Sequence, residues 1–61
     1  MKVTLKKDNK VYTITFDEYG VVDTVECAGK MLLSTNRVVK QIVNNQDEIA
    51  RGIIPAGFTK V

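Results

Sequence analysis

MKVTLKKDNKVYTITFD, residues 1–17, is two runs rich in Val, Thr, Ile and Tyr on either side of Asp8-Asn9. Asp and Asn tolerate positive φ and favour the tight primed turns that match strand twist. The stretch therefore reads as a β-hairpin with Asp8 and Asn9 as its loop. That loop sets Lys7 opposite Lys10, Lys6 opposite Val11, Leu5 opposite Tyr12, Thr4 opposite Thr13, Val3 opposite Ile14 and Met1 opposite Phe16. Strand side chains alternate faces with period two. One face collects Met1, Val3, Leu5, Tyr12, Ile14 and Phe16, with no charge among them. The other collects Lys2, Thr4, Lys6, Val11, Thr13 and Thr15. A slip of one residue would destroy this separation, so turn chemistry and patterning support the same register.

Working outward, Asp17-Glu18-Tyr19-Gly20 is a second turn, with Gly20 at a position that favours positive φ. Residues 21–28 form a third strand, β-branched at Val21, Val22, Thr24 and Val25. Pairing Phe16 with Val21 points Val21, Asp23, Val25 and Cys27 inward. The opposite register points Val22, Thr24, Glu26 and Ala28 inward. The first set is more apolar and is the expected one, with Asp23 at a rim that water reaches; burying it unpaired would be costly. Gly29 breaks the pattern. Residues 31–33, Met-Leu-Leu, are either a short fourth strand or an apolar connector.

Ser34 or Thr35 is placed to cap a helix over about 35–51. Val38, Val39, Ile42, Val43, Ile49 and Ala50 recur at the spacing of an amphipathic helix. Asn44-Asn45 are poor helix formers and mark a place for a break, with Asp47 capping a second short turn. Gly52 ends the helix. The tail 53–61 is too apolar to hang free: Ile53, Ile54, Phe58 and Val61 need cover, from the chain's own core as an edge strand or from another chain. The expected fold is α+β: one domain over residues 1–61, with an antiparallel meander of three strands (four if 31–33 joins), one helix packed across its apolar face, and the tail completing the layer.

Composition narrows the function. A chain of 61 residues has room for one small core and no deep substrate cavity. Its net charge of +2 exerts little general pull on nucleic acid or membrane. The charge is unevenly spread, however: residues 1–10 hold four lysines against one aspartate, and residues 11–26 hold four carboxylates and no base. The one cysteine, Cys27, allows no internal disulfide, which fits a reducing compartment and a cytoplasmic location. No apolar run approaches the roughly 18 residues that span a bilayer, and the basic start is not followed by the apolar core of a signal peptide.

There is no histidine, so the commonest general base and metal ligand is missing. Cys27 has no activating partner in sight and reads as a structural thiol. Asp17, Glu18, Asp23 and Glu26 lack the ordered spacing of a calcium loop. The expectation is a non-enzyme without cofactor, metal or membrane contact. Two roles remain. The first is a protein-interaction or accessory domain, able to self-associate as a homodimer, with Tyr19, Ile53, Ile54, Phe58 and Val61 as interface candidates. The second is a nucleic-acid binder using Lys2, Lys6, Lys7 and Lys10. No arginine serves base reading there, and no aromatic side chain shares the lysine face.

Overall fold

In the computed structural model, which describes all residues Met1–Val61, the hairpin adopts the register expected above. Strands β1 (Lys2–Lys7) and β2 (Lys10–Phe16) pair antiparallel from Lys2↔Thr15 to Lys7↔Lys10. Phe16 N–H donates to the Met1 carbonyl at 2.8 Å, closing the far end. Asp8 and Asn9 both take positive φ, 50° and 65°, as a primed two-residue turn requires.

The third strand, β3 (Val22–Cys27), corrects the expected register. Phe16 pairs with Val22 rather than Val21, Thr15 pairs with Thr24, and Ile14 pairs with Val25. Two steps along β3 therefore oppose one step along β2, and Asp23 is the extra residue of a β-bulge. The bulge places Val22, Val25 and Cys27 against the core and leaves Asp23 in solvent. It takes one inward residue from one reading of the strand and two from the other. Val21 is 45% exposed. Asp17 explains the bend before it: its carboxylate accepts from the N–H groups of Tyr19 and Val21 at 2.8 and 3.0 Å.

Residues 30–31 form a fourth strand, β4 (Lys30–Met31), paired with β3 through Glu26↔Met31 and Cys27↔Lys30. Its two-residue loop is Ala28-Gly29, with φ of 54° and 77°. An alanine in the left-handed region carries a steric cost that asparagine largely escapes. Ala28→Asn, exposed and converting the loop to Asn-Gly, is expected to stabilise the domain by about 0.5–1 kcal/mol, read as a higher urea midpoint.

The helical segment is divided. Helix α1 (Arg37–Asn44) is capped by Asn36, whose side-chain oxygen accepts from the N–H groups of Val38 and Val39 at 2.8 and 3.3 Å. The cap is thus neither Ser34 nor Thr35. Asn45 leaves helical geometry at φ −113°, ψ 16°, and its side-chain amide donates to the Gln41 carbonyl at 2.8 Å. Helix α2 (Gln46–Ala50) starts there with no side-chain cap, so Asp47 does not play that part. The break re-aims the apolar stripe: Val39, Ile42 and Ile49 are buried, while Val43 is 40% exposed.

The tail returns as β5 (Thr59–Lys60), antiparallel to β1 through Leu5↔Lys60 and Lys6↔Thr59. The sheet therefore has five strands in the order β4-β3-β2-β1-β5, with every pair antiparallel. The helices cover one face. The core combines Leu5, Tyr12, Ile14, Phe16 and Val25 from the sheet, three helical residues, and Phe58 from the tail. Phe58 is 8% exposed, so it belongs to the chain's own interior rather than to an outward interface. No helix is long and apolar enough to cross a membrane.

Candidate functional site

The four hairpin lysines do not form one patch. Pleat alternation places Lys2 and Lys6 on the uncovered face of the sheet, and Lys7 and Lys10 on the helix side, at the tip beyond the core. Lys7 is engaged there. Its ammonium donates to Gln41 Oε1 at 2.7 Å and lies 5.1 Å from the centroid of the Phe58 ring, within cation–π range. The Gln41 amide reaches on to the Ala56 carbonyl at 3.5 Å. Lys7 thus ties the hairpin tip to α1 and the tail. On the uncovered face, Lys2 and Lys6 stand among Thr4, Thr13, Thr15 and Thr24, and Glu26 lies in the row of Thr13.

The two flanks of the sheet differ in how they treat unpaired backbone. An open strand edge is a template for another chain unless something occupies it. On the β3 flank, the Val22 N–H donates to Gln46 Oε1 at 2.9 Å. The Val25 carbonyl accepts from Leu32 N–H at 2.8 Å. A side chain from α2, strand β4 and Leu32 just after it therefore take up the β3 backbone, and β4 is the outermost strand on that side. A small hollow of ≈ 140 Å³ remains between it and α1, lined in part by Met31, Leu32 and Val43. Gln46→Ala removes the acceptor and leaves a half-buried N–H without a partner. The expected loss is about 1–2 kcal/mol, measured by urea unfolding, with Gln46→Glu, which keeps an acceptor, losing less.

The β1 flank is only half covered. Met1 and Phe16 are a bonded pair, so by ladder alternation Lys2, Thr4 and Lys6 direct their N–H and C=O groups away from β2. Lys6 meets Thr59 of β5, and Thr4 C=O accepts from Val61 N–H at 3.3 Å. No strand lies beside Lys2. Its edge opens instead into a groove of ≈ 370 Å³ between β1, the end of α2 and the tail. The apolar wall is Met1, Val3, Ile49, Ala50, Ile54 and Val61. Its charged side chains are Lys2 and Lys60, and no acidic side chain lines it. Met1 and Val61 are 62% and 68% exposed.

Of the interface candidates, Ile54 and Val61 meet in this groove, with Lys2 from the basic set. Tyr19 stands apart at the tip of the β2–β3 turn, 82% exposed, and Ile53 is exposed just before Ile54. Met1, Val3, Ile49 and Ala50 were not singled out from sequence as site residues. Their signal is faint, because a groove between a strand start and a helix end depends on where the tail returns. Cys27 is half-buried opposite Tyr12. No three His, Cys, Asp or Glu side chains gather as a metal site. Comparison with protein-family models, curated proteins and solved structures finds no match to this chain.

Proposed function

We propose that the chain is a non-catalytic protein-interaction module whose contact surface is the groove on the β1 flank. The observation that carries this reading is the concave apolar wall on the β1 flank, where Met1, Val3, Ile49, Ala50, Ile54 and Val61 meet beside the Lys2 backbone. On the other flank β4, Leu32 and Gln46 take up the β3 backbone. Apolar side chains around a cleft with unpaired polar backbone are what a specific protein contact uses, affinity coming from burial and orientation from hydrogen bonds.

The nucleic-acid reading draws less support. Lys7 is committed to Gln41 and Phe58, and Lys2 and Lys6 are joined on their face by Glu26 rather than by further bases. A phosphate-tracking surface gains from each additional cation.

Val61→Glu tests the proposal. Val61 is exposed, so surface substitution there leaves stability within about 0.5 kcal/mol. Partner capture from the native host is expected with the wild-type chain and lost with V61E. Equal capture by both variants counts against the groove, and a nuclease-sensitive capture transfers the reading to nucleic acid. Light scattering on both chains separates self-association from binding of a different protein.

A further inference from the structure

We infer that the hairpin-tip end of the domain is a separate contact surface that holds a short acidic segment of another protein. It is distinct from the groove on the β1 flank and does not rest on it. The sheet topology gathers the bases. The turns Asp8-Asn9 and Ala28-Gly29 lie at the same end, because the hairpins β1–β2 and β3–β4 stand on either side of the β2–β3 turn. Lys7 and Lys10 pair there, two residues beyond Leu5 and Tyr12 of the core, so both point to the helix side. Lys30 pairs with Cys27, which pairs with Tyr12, so Lys30 points to that side as well. Helix α1 brings a fourth base. Gln41 meets Lys7 at this end of the sheet and Gln46 meets Val22 at the other. The start of α1 therefore lies toward the tip, and Arg37 stands one turn before Gln41 on the same flank of the helix. Lys10, Lys30 and Arg37 are exposed.

These four charges are little compensated. Asp8, inside the turn, is the one carboxylate beside them. Glu26 points to the uncovered face with Thr13, and Asp17, Glu18 and Asp23 lie at the opposite end, around the β2–β3 turn. The partners of Lys7, the Gln41 amide and the Phe58 ring, are uncharged. No side-chain hydrogen bond joins a base of this chain to a carboxylate. The first turn of α1 holds no acid, and Arg37 in that turn opposes the helix dipole. Charge complementarity therefore selects an anionic occupant. From β1 to β4 the bases span three strand spacings, about 14 Å, the reach of four or five extended residues. A single nucleic-acid strand would need aromatic rings to stack its bases, and the exposed aromatic side chain, Tyr19, stands at the far end. Carboxylates on a peptide need only the ammonium and guanidinium groups. Contact through exposed charges is weak, fast and sensitive to salt.

The test titrates the isotope-labelled full chain with a blocked hexaglutamate peptide, followed by amide chemical shifts, at ~20 mM salt, where screening is slight. A hexaglutamine peptide and a thymidine oligonucleotide of equal charge serve as controls. Shifts are expected at residues 7–10, 28–30 and 36–41 with the acidic peptide at ~1 mM, the range of weak affinities. Salt at ~0.2 M is expected to weaken binding by at least about fivefold. Lys10→Glu with Lys30→Glu is expected to weaken it by a similar factor. Lys2→Glu with Arg51→Glu makes the same change in net charge away from the tip and is expected to weaken it by less than about twofold. The amide spectrum of each variant reports its own fold, and Lys10→Gln with Lys30→Gln replaces the reversal if that variant unfolds. Equal binding of the glutamine peptide, or equal loss in the two double variants, overturns the inference. Equal or tighter binding of the oligonucleotide gives the surface to nucleic acid and overturns it too. Shifts elsewhere, or none, have the same effect. Tip shifts that grow with protein concentration and no peptide make the occupant a second copy, which also overturns it. Each of these results leaves the β1-flank groove to the Val61→Glu capture.

Discussion

Phe58→Ala is expected to abolish cooperative folding at room temperature. Phe58 is the sixth residue of the nine-residue tail 53–61, yet it is one of nine buried core residues. Removing a buried phenylalanine side chain costs about 3–5 kcal/mol, the lost transfer energy plus the cavity left behind. A chain of this size has a total stability of roughly 3–9 kcal/mol, so the loss approaches the whole. The damage is not confined to the tail. Lys7 stacks on the ring and bonds Gln41, and β5 follows at the next residue, so the hairpin tip, α1 and the sheet edge all lose a common support. Circular dichroism with urea titration reads the effect. Phe58→Leu, which refills most of the volume, is expected to retain a cooperative transition at a lower midpoint. Ile53→Ala, exposed in the same tail, is expected to unfold like the wild type. A Phe58→Ala chain that melts like the wild type would show instead that the tail is held outside the core.

The contrast between Phe58 and Ile53 marks the limit of what the chain discloses about itself. Apolar content after Gly52 announces that something must be covered, but residues 53–61 carry no periodicity that says by what. The cover comes from β1, nearly the full chain length away, and local pattern is silent about such a distance. The hairpin was legible for the opposite reason: Asp8-Asn9 chose the turn, the face separation chose the register, and the two agree. The helix cap was only half legible. Ser34, Thr35 and Asn36 all carry a suitable oxygen, and the geometry of the preceding connector selects Asn36. The lysines were legible as a charge cluster but not as two groups, because Lys7's engagement with Gln41 and Phe58 depends on where α1 and the tail settle.

The bulge in β3 provides the sharpest test of how the sheet is specified. Deleting Asp23 is expected to leave the domain folded, and deleting Thr13 is expected to destroy it. Without Asp23, the residues Val22, Thr24 and Val25 become consecutive. They then meet Phe16, Thr15 and Ile14 one for one, in the pairing they already have. Val22 and Val25 stay inward and Thr24 stays outward, so no side chain changes face. The cost is confined to the local twist that a bulge adds and to strain on the Val22–Gln46 hydrogen bond, about 1–2 kcal/mol together. Thr13 has no such slack. It lies in β2 between two partners, opposite Thr4 on one side and Glu26 on the other. Its loss makes Tyr12 and Ile14 neighbours, and neighbours in a strand point to opposite faces. Either Tyr12 or the pair Ile14 and Phe16 must then turn outward. Each buried side chain of this kind contributes about 1.5–3 kcal/mol, and both paired strands lose register with it. Urea unfolding of the two deletions, each one residue shorter than the parent, is expected to give a cooperative transition for the first and none for the second. If the Asp23 deletion also fails to fold, the bulge is not a tolerated insertion but a required bend. The sheet would then need that extra twist to bring β3 under α1 and let Gln46 seal its edge.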